Sequence, residues 1–206
     1  MKENWYDRHL LPWLIELGCS VKPVRLQRAK VVPLAEGRVL EVGIGTGLNL
    51  PFYDRSRVRK IVGLDPGLRM HPLALRRSAS AGLDVELVGL SAEAIPLADA
   101  SFDTVLTTYT LCSIADPVAA LREMRRVLAP GGKLLFSEHG RAPDESVRRW
   151  QTRLQPWWGK VAGGCHLDRD IPALLREAGF QVDAQARYLP GPRILSFHYW
   201  GQATAA

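Results

Sequence analysis

The sequence predicts an α/β fold: a doubly wound, mostly parallel sheet of seven strands whose last strand runs antiparallel. Three observations predict it. Short apolar runs alternate with helix-like segments along the chain, as strands covered on both faces by crossover helices require. The first of these runs ends in a glycine-rich turn, Gly43-Ile44-Gly45-Thr46-Gly47. The last two runs are joined through Pro190-Gly191-Pro192, too short a link for a parallel crossover, so they form an antiparallel pair.

Taken in order, Trp5, Leu10, Trp13, Leu14 and Leu17 lie at helical spacing between Asn4 and Leu17, a pattern that Pro12 kinks or interrupts. Strands follow at Val39 to Val42, Lys60 to Leu64, Val85 to Val88, Asp103 to Thr108 and Lys133 to Ser137. Asp116-Pro117 is an N-cap followed by proline at the first helical position. Leu121, Met124 and Leu128 make one face of that helix, and Pro130-Gly131-Gly132 ends it. Asp168 is expected to cap a helix through Leu174-Leu175 that Gly179 terminates. Gln181 to Tyr188 and Ile194 to Gly201 are the closing strand pair. Without a linker, a repeat or a second core, residues 1–206 read as a single domain. A helical lid is expected over about 1–35 and a tryptophan-rich insertion over about 140–167.

Composition excludes several classes. Of 206 residues, 47% are hydrophobic and 23% charged, which rules out a disordered or collagen-like chain. No apolar run approaches the roughly 18 residues of a membrane span, and Asp7, Arg8 and His9 break up any signal-peptide core. The net charge of +6 raises nucleic acid as a partner. Its basic residues are scattered in pairs such as Arg76-Arg77, Arg125-Arg126 and Arg148-Arg149, with no stripe of interleaved aromatics, so no nucleic acid is expected. Three cysteines, Cys19, Cys112 and Cys165, form no CxxC pair and suit free thiols in a reducing, cytoplasmic setting.

The chemistry is concentrated after the first strand. Glycines at that point let backbone N–H groups approach a ligand closely. A dinucleotide site has GxGxxG, whereas this chain reads GxGxG with Leu48 where the third glycine would fall and Glu41 two residues ahead of Gly43. No Gly-Lys-Ser/Thr follows, so it is not a Walker loop. Asp65 ends the second strand, where a carboxylate accepts both ribose hydroxyls of a nucleoside cofactor of either class. Thr108 and Tyr109 stand at the carboxyl end of the fourth strand, where such sheets place ligands.

With Ser91-Ala92-Glu93-Ala94-Ile95-Pro96-Leu97, Ser101-Phe102-Asp103 and Val127-Leu128-Ala129-Pro130-Gly131-Gly132 added, the chain from about Arg38 onward resembles the class I S-adenosylmethionine-dependent methyltransferases, a Rossmann-like family, within its type 11 group. The resemblance implies S-adenosyl-L-methionine as cofactor and S-adenosyl-L-homocysteine as product. It implies a cofactor site made by Glu41, Gly43, Gly45, Gly47, Asp65, Pro66, Ser91, Ala92, Glu93, Thr108 and Tyr109. Many relatives place an acid where Ser91 stands. Leu111-Cys112-Ser113-Ile114, Glu138-His139, Gln155-Pro156-Trp157 and Gly164-Cys165-His166-Leu167-Asp168-Arg169 are similar to the methyltransferase-like thiol S-methyltransferases, which methylate sulfide and small alkyl thiols.

That branch implies a small, apolar thiol as acceptor. His139, His166 and Tyr109 are the candidate catalytic residues, and Trp5, Tyr6, Trp157, Trp158 and Arg169 the candidate acceptor contacts. Two other readings stay open: methylation of a quinone precursor or lipid amine, and a module that binds the cofactor without catalysis. Cys112, Cys165 and His166 lack the spacing of a metal motif, so no metal is expected.

Overall fold

A computed structural model describes residues 10–206. Trp5 and Tyr6, and most of the expected lid's first turns, lie outside the described residues. Among the described residues two helices come first, α1 (Leu11–Ser20) and α2 (Lys22–Val31). Pro12 falls in the first turn of α1, where its missing N–H costs nothing, and the part of the expected Asn4–Leu17 pattern before residue 10 lies outside the described residues.

The sheet contains β1 (Gly37–Val42), β2 (Val58–Leu64), β3 (Val85–Val88), β4 (Phe102–Thr108), β5 (Leu128–His139), β6 (Phe180–Tyr188) and β7 (Phe197–Ala205). Its order is β3-β2-β1-β4-β5-β7-β6. β1 pairs in parallel with β2 and β4, and β7 is antiparallel to both β5 and β6. The strand order reverses at β1, and its carboxyl end opens beside that of β4. Sheets of this kind bind ligands at that switch point.

Neighbouring residues on each central strand point to opposite faces, as a period of two dictates. Leu40, Val62, Val105 and Leu134 enter one core. Val39, Ile61, Leu106 and Leu135 enter the other. The first core is closed by α4 (Pro117–Val127) and α6 (Ile171–Glu177) through Leu121, Met124 and Leu175. Val31 of α2 joins the second. The remaining helices are α3 (His71–Ala81) and α5 (Glu145–Val161). Among the described residues no helix is long and apolar enough to cross a membrane.

Several sequence boundaries shift. α4 is capped by Asp116, whose Oδ1 accepts from Ala119 N at 2.9 Å. It ends at Val127, before the proline and glycines, because Leu128 already pairs with Phe102 as the start of β5. The cap of α6 is Asp170, accepting from Ala173 N at 3.1 Å, and not Asp168. Both are acids two residues apart, and Pro172 in the first turn selects the nearer one. β7 begins at Phe197, later than Ile194, because Leu195 N turns back to Pro192 O at 2.9 Å and lengthens the connection.

Candidate active site

β1 delivers the chain into the glycine turn with positive φ at Gly43 (+75°) and Gly45 (+53°). A Cβ on Gly43 would lie 2.1 Å from Thr110 Oγ1, so the turn and the segment after β4 approach within backbone distance. Asp65 braces this turn from β2: its Oδ2 accepts from Gly45 N at 2.9 Å and its Oδ1 from Gly67 N at 2.7 Å. Each oxygen retains a lone pair for a ligand. Ser91 donates to Glu93, whose other oxygen accepts from Asp116 N at 3.2 Å.

Behind the turn lies a buried polar network. Glu41 accepts from Asn49 Nδ2 at 2.9 Å and from Tyr53 OH at 2.7 Å. Arg28 Nη1 donates to Asn49 Oδ1 at 3.0 Å and Thr108 Oγ1 at 2.6 Å, and its guanidinium lies 4.9 Å from the Tyr109 ring centroid. Burial pushes the Glu41 carboxyl up to about 7, against the hydrogen bonds from Tyr53 and Asn49 and the charge of Arg28. Below pH about 4.5 the group is protonated whether the chain is folded or not. Between there and about 7 the folded protein holds a proton that the unfolded chain has released. Stability is therefore lost as pH rises through this window, by on the order of 1 kcal/mol per unit, and levels off above it. Glu41→Gln should flatten that decline in urea melts at pH 5, 6, 7 and 8; a decline as steep as in the wild type would refute the assignment.

Two cavities flank Tyr109. One, of about 420 Å³, opens at the carboxyl ends of β1, β2 and β4. Every expected cofactor position lines it, from Glu41 and Gly43 through Asp65 and Ser91 to Thr108, except Gly47, which packs on Leu50 and Ala74. The other, of about 660 Å³, is walled by Leu14, Trp158, Leu189 and Leu195, with Cys112, His139, Cys165 and His198 among its lining. Ile15, Cys19, Tyr109, Ser113 and Gly163 border both. Tyr109 holds φ +56°, a conformation non-glycine residues rarely adopt, with its N–H bonded to Ser137 O at 2.9 Å. Burial raises its phenol.

The other candidates separate. His139 and Trp158 line the larger cavity. His166 is half-exposed, 4.0 Å from Asp168, and lines neither. Trp157 is 72% exposed on the outer face of α5, and Arg169 donates to Leu111 O beneath the loop. Instead of His166, the two cysteines meet His139, whose Nε2 is 3.1 Å from Cys165 Sγ. The hydrogen bonds with Cys112 and with His139 pull the Cys165 thiol well below its usual range.

Sequence reasoning missed Arg28, Asn49, Tyr53 and the α1 anchor. Glu16 accepts from Thr46 Oγ1 and from Arg77 Nη2, the latter at 2.6 Å, tying α1 to the glycine turn. A signal for Arg28 existed: with Gln27 it shares the buried face of α2 between Val24 and Val31, where a polar residue needs a partner.

A family model described as a methyltransferase domain matches residues 40–136. Thiol S-methyltransferase TMT1B of Homo sapiens is 36% identical over 78% of this chain and 70% of its own length. The chain belongs to the S-adenosylmethionine-dependent methyltransferases. It spans 65% of the length of the rat TMT1B protein, at 35% identity. Demethylmenaquinone methyltransferase of Thermus thermophilus is 32% identical over 77% of this chain and 74% of its own. A solved SAM-dependent methyltransferase of Thermotoga maritima, described as a possible histamine N-methyltransferase, aligns with a TM-score of 0.67 and 25% identity over 98% of both chains. S-adenosylmethionine is thus the cofactor of this methyltransferase, and the smaller cavity suits it. A buried carboxylate, Asp65, closes its β2 end, and Arg28 lines it with a buried Nε–H that has no hydrogen-bond partner among the described residues.

Proposed function

We propose that this methyltransferase transfers a methyl group to a small, apolar thiol. The observation that carries the reading is the larger cavity, apolar over most of its wall, meeting the cofactor cavity at Tyr109 with His139 and Cys165 at its polar end. The thiol S-methyltransferase relatives support the same acceptor. Bound S-adenosylmethionine supplies an electrophilic methyl group on a sulfonium sulfur.

The chain's own residues then bind, align and exclude water. Asp65 takes the ribose hydroxyls, Pro66 packs beside the base with Ser91, Ala92 and Glu93 at its edge, and Arg28 Nε takes the methionine carboxylate. Tyr109 stands at the junction of the two cavities, where its electron-rich ring would favour a sulfonium brought beside it. The acceptor needs only ionisation, since an alkyl thiol near pKa ~8.5 is already a few per cent thiolate at neutral pH. Burial lowers His139, but the hydrogen bond and charge of Cys165, with the charge of Glu138, outweigh it and hold the imidazole above its ordinary value. A proton held there would stabilise the thiolate within an apolar wall.

Incubation with S-adenosylmethionine and a mixture of alkyl thiols, phenols and amines, read by mass spectrometry, tests the acceptor. Methyl thioethers are expected, at rates that rise with pH until the thiol is ionised. Methylation of phenols, quinols or amines with thiols untouched across pH ~6–9, a range spanning ordinary thiol ionisation, would replace the thiol reading with a quinone or amine acceptor.

A further inference from the structure

We propose that Cys112, His139 and Cys165 form a site for one zinc ion, whose open fourth position takes the acceptor thiol. The site stands on its own geometry; the occupant of its fourth position rests on the thiol reading above. The three residues come from separate elements: the turn after β4, the last position of β5, and the loop after α5. Their two Sγ atoms and one imidazole nitrogen all lie within 4.8 Å of one another. Tetrahedral zinc, with bonds of about 2.3 Å to sulfur and about 2.0–2.1 Å to nitrogen, holds its ligand atoms about 3.5–3.8 Å apart. The atoms must close by about 1 Å at most to reach that arrangement.

The backbone carrying these ligands is pinned. His166 N donates to Cys112 O at 2.8 Å, joining the two cysteine loops directly. Gln155 of α5 donates to Cys165 O at 3.0 Å and accepts from Leu167 N at 2.7 Å, clamping the loop from both sides. Such support is what holds a metal site to its geometry. The sequence conceals the site because the ligands fall 139 − 112 = 27 and 165 − 139 = 26 positions apart. Parallel pairing of β4 with β5 sets two of them side by side, and α5 returns the third.

The donor set selects the ion. Two thiolates and an imidazole, with no carboxylate among them, suit zinc and exclude calcium and magnesium. Three protein ligands leave zinc one position, the pattern of catalytic and not structural sites. All three side chains line the larger cavity, as does Tyr109, which also borders the cofactor cavity, so the fourth position faces the space an acceptor enters. An incoming thiol R–SH loses its proton to solvent as its sulfur binds zinc. Transfer then forms the S–CH3 bond as the CH3–S+ bond of the sulfonium breaks, its electron pair staying on the departing sulfur. The neutral thioether product is a poor zinc ligand and leaves. On this account zinc supplies the positive charge that His139 would otherwise supply alone.

Cobalt(II) reports the site without any turnover. The full chain, stripped of metal by a chelator under reducing conditions, should bind one equivalent of cobalt with the absorption of a tetrahedral, thiolate-bound ion, displaced by zinc. Cys112→Ser and Cys165→Ser should each weaken binding by more than the about 10–100-fold that losing an outer-shell partner costs, while His166→Ala leaves it unchanged. S-adenosylhomocysteine calorimetry confirms that each variant is folded. An alkyl thiol should alter the cobalt spectrum, and its methyl thioether should not. Absence of a thiolate–cobalt band in the folded wild type, or its survival in both serine variants, overturns the site. A band that no thiol perturbs overturns the fourth-position assignment. Thiol methylation undiminished by the chelator sinks the zinc role and leaves the thiol reading standing. A cobalt site in an enzyme that methylates only phenols or amines sinks the thiol reading and the fourth-position assignment with it, and leaves the metal site standing.

Discussion

Replacing Asp65 by Ala will weaken S-adenosylhomocysteine binding by about 10- to 150-fold, the equivalent of about 1.5–3 kcal/mol for a hydrogen bond to a charged group. The carboxylate acts twice. In the proposed cofactor placement it takes the ribose, and in the structure it fixes the N–H groups of Gly45 and Gly67 that shape the cavity. Asp65→Asn keeps one acceptor oxygen but must turn an NH2 toward a backbone donor, so its loss should approach that of Ala. Calorimetry at constant salt measures both. Full affinity in the Ala variant would remove Asp65 from the cofactor site.

The second large effect separates two glycines of one turn. At Gly43 an added methyl meets Thr110 at 2.1 Å and the residue must hold φ +75°. Left-handed strain of about 1–2 kcal/mol adds to overpacking of about 1–3 kcal/mol, so Gly43→Ala should lose about 2–5 kcal/mol of stability. At Gly45 the nearest atom, Met70 Sδ, is 3.8 Å away and only the strain remains. Gly45→Ala should lose about 1–2 kcal/mol, and its methyl projects into the cofactor cavity, so affinity falls more than stability. Thermal melts and calorimetry on the two variants decide it. Equal melting losses would mean that the approach of Thr110 to the turn does not limit the loop.

The strands, and the grouping of the glycine turn, Asp65 and the β4 end around one cavity, were legible in the sequence because both are local. A buried parallel strand is a short apolar run, and the glycine turn with Asp65 is a contiguous motif plus one strand end. Even there, Asp65 serves the loop as much as any ligand, which a motif does not reveal. The larger cavity was not legible, since it is assembled from α1, the β4 turn, the α5 loop and the β6–β7 connection. His166 and His139 look alike in sequence, as histidines within two positions of an acid, Asp168 and Glu138. Only the pairing of β5 with β7, which sets His139 opposite His198, places one in the cavity, while the other turns toward Asp168. Trp157 and Trp158 differ by one position on a helix, about 100° apart, and that rotation sends one ring to solvent and the other to the cavity wall.

β7 is the seventh strand in chain order but sits sixth in the sheet, between β5 and β6. Its partner β5 lies some sixty residues upstream, a long loop to close before the contact stabilises anything. During synthesis the β1–β4 half, with its glycine turn and Asp65, emerges and can pair early. The wall carrying Leu189, Leu195 and His198 arrives only with the closing strands. A nascent chain therefore assembles the cleft at its glycine turn well before it owns the larger chamber beside it.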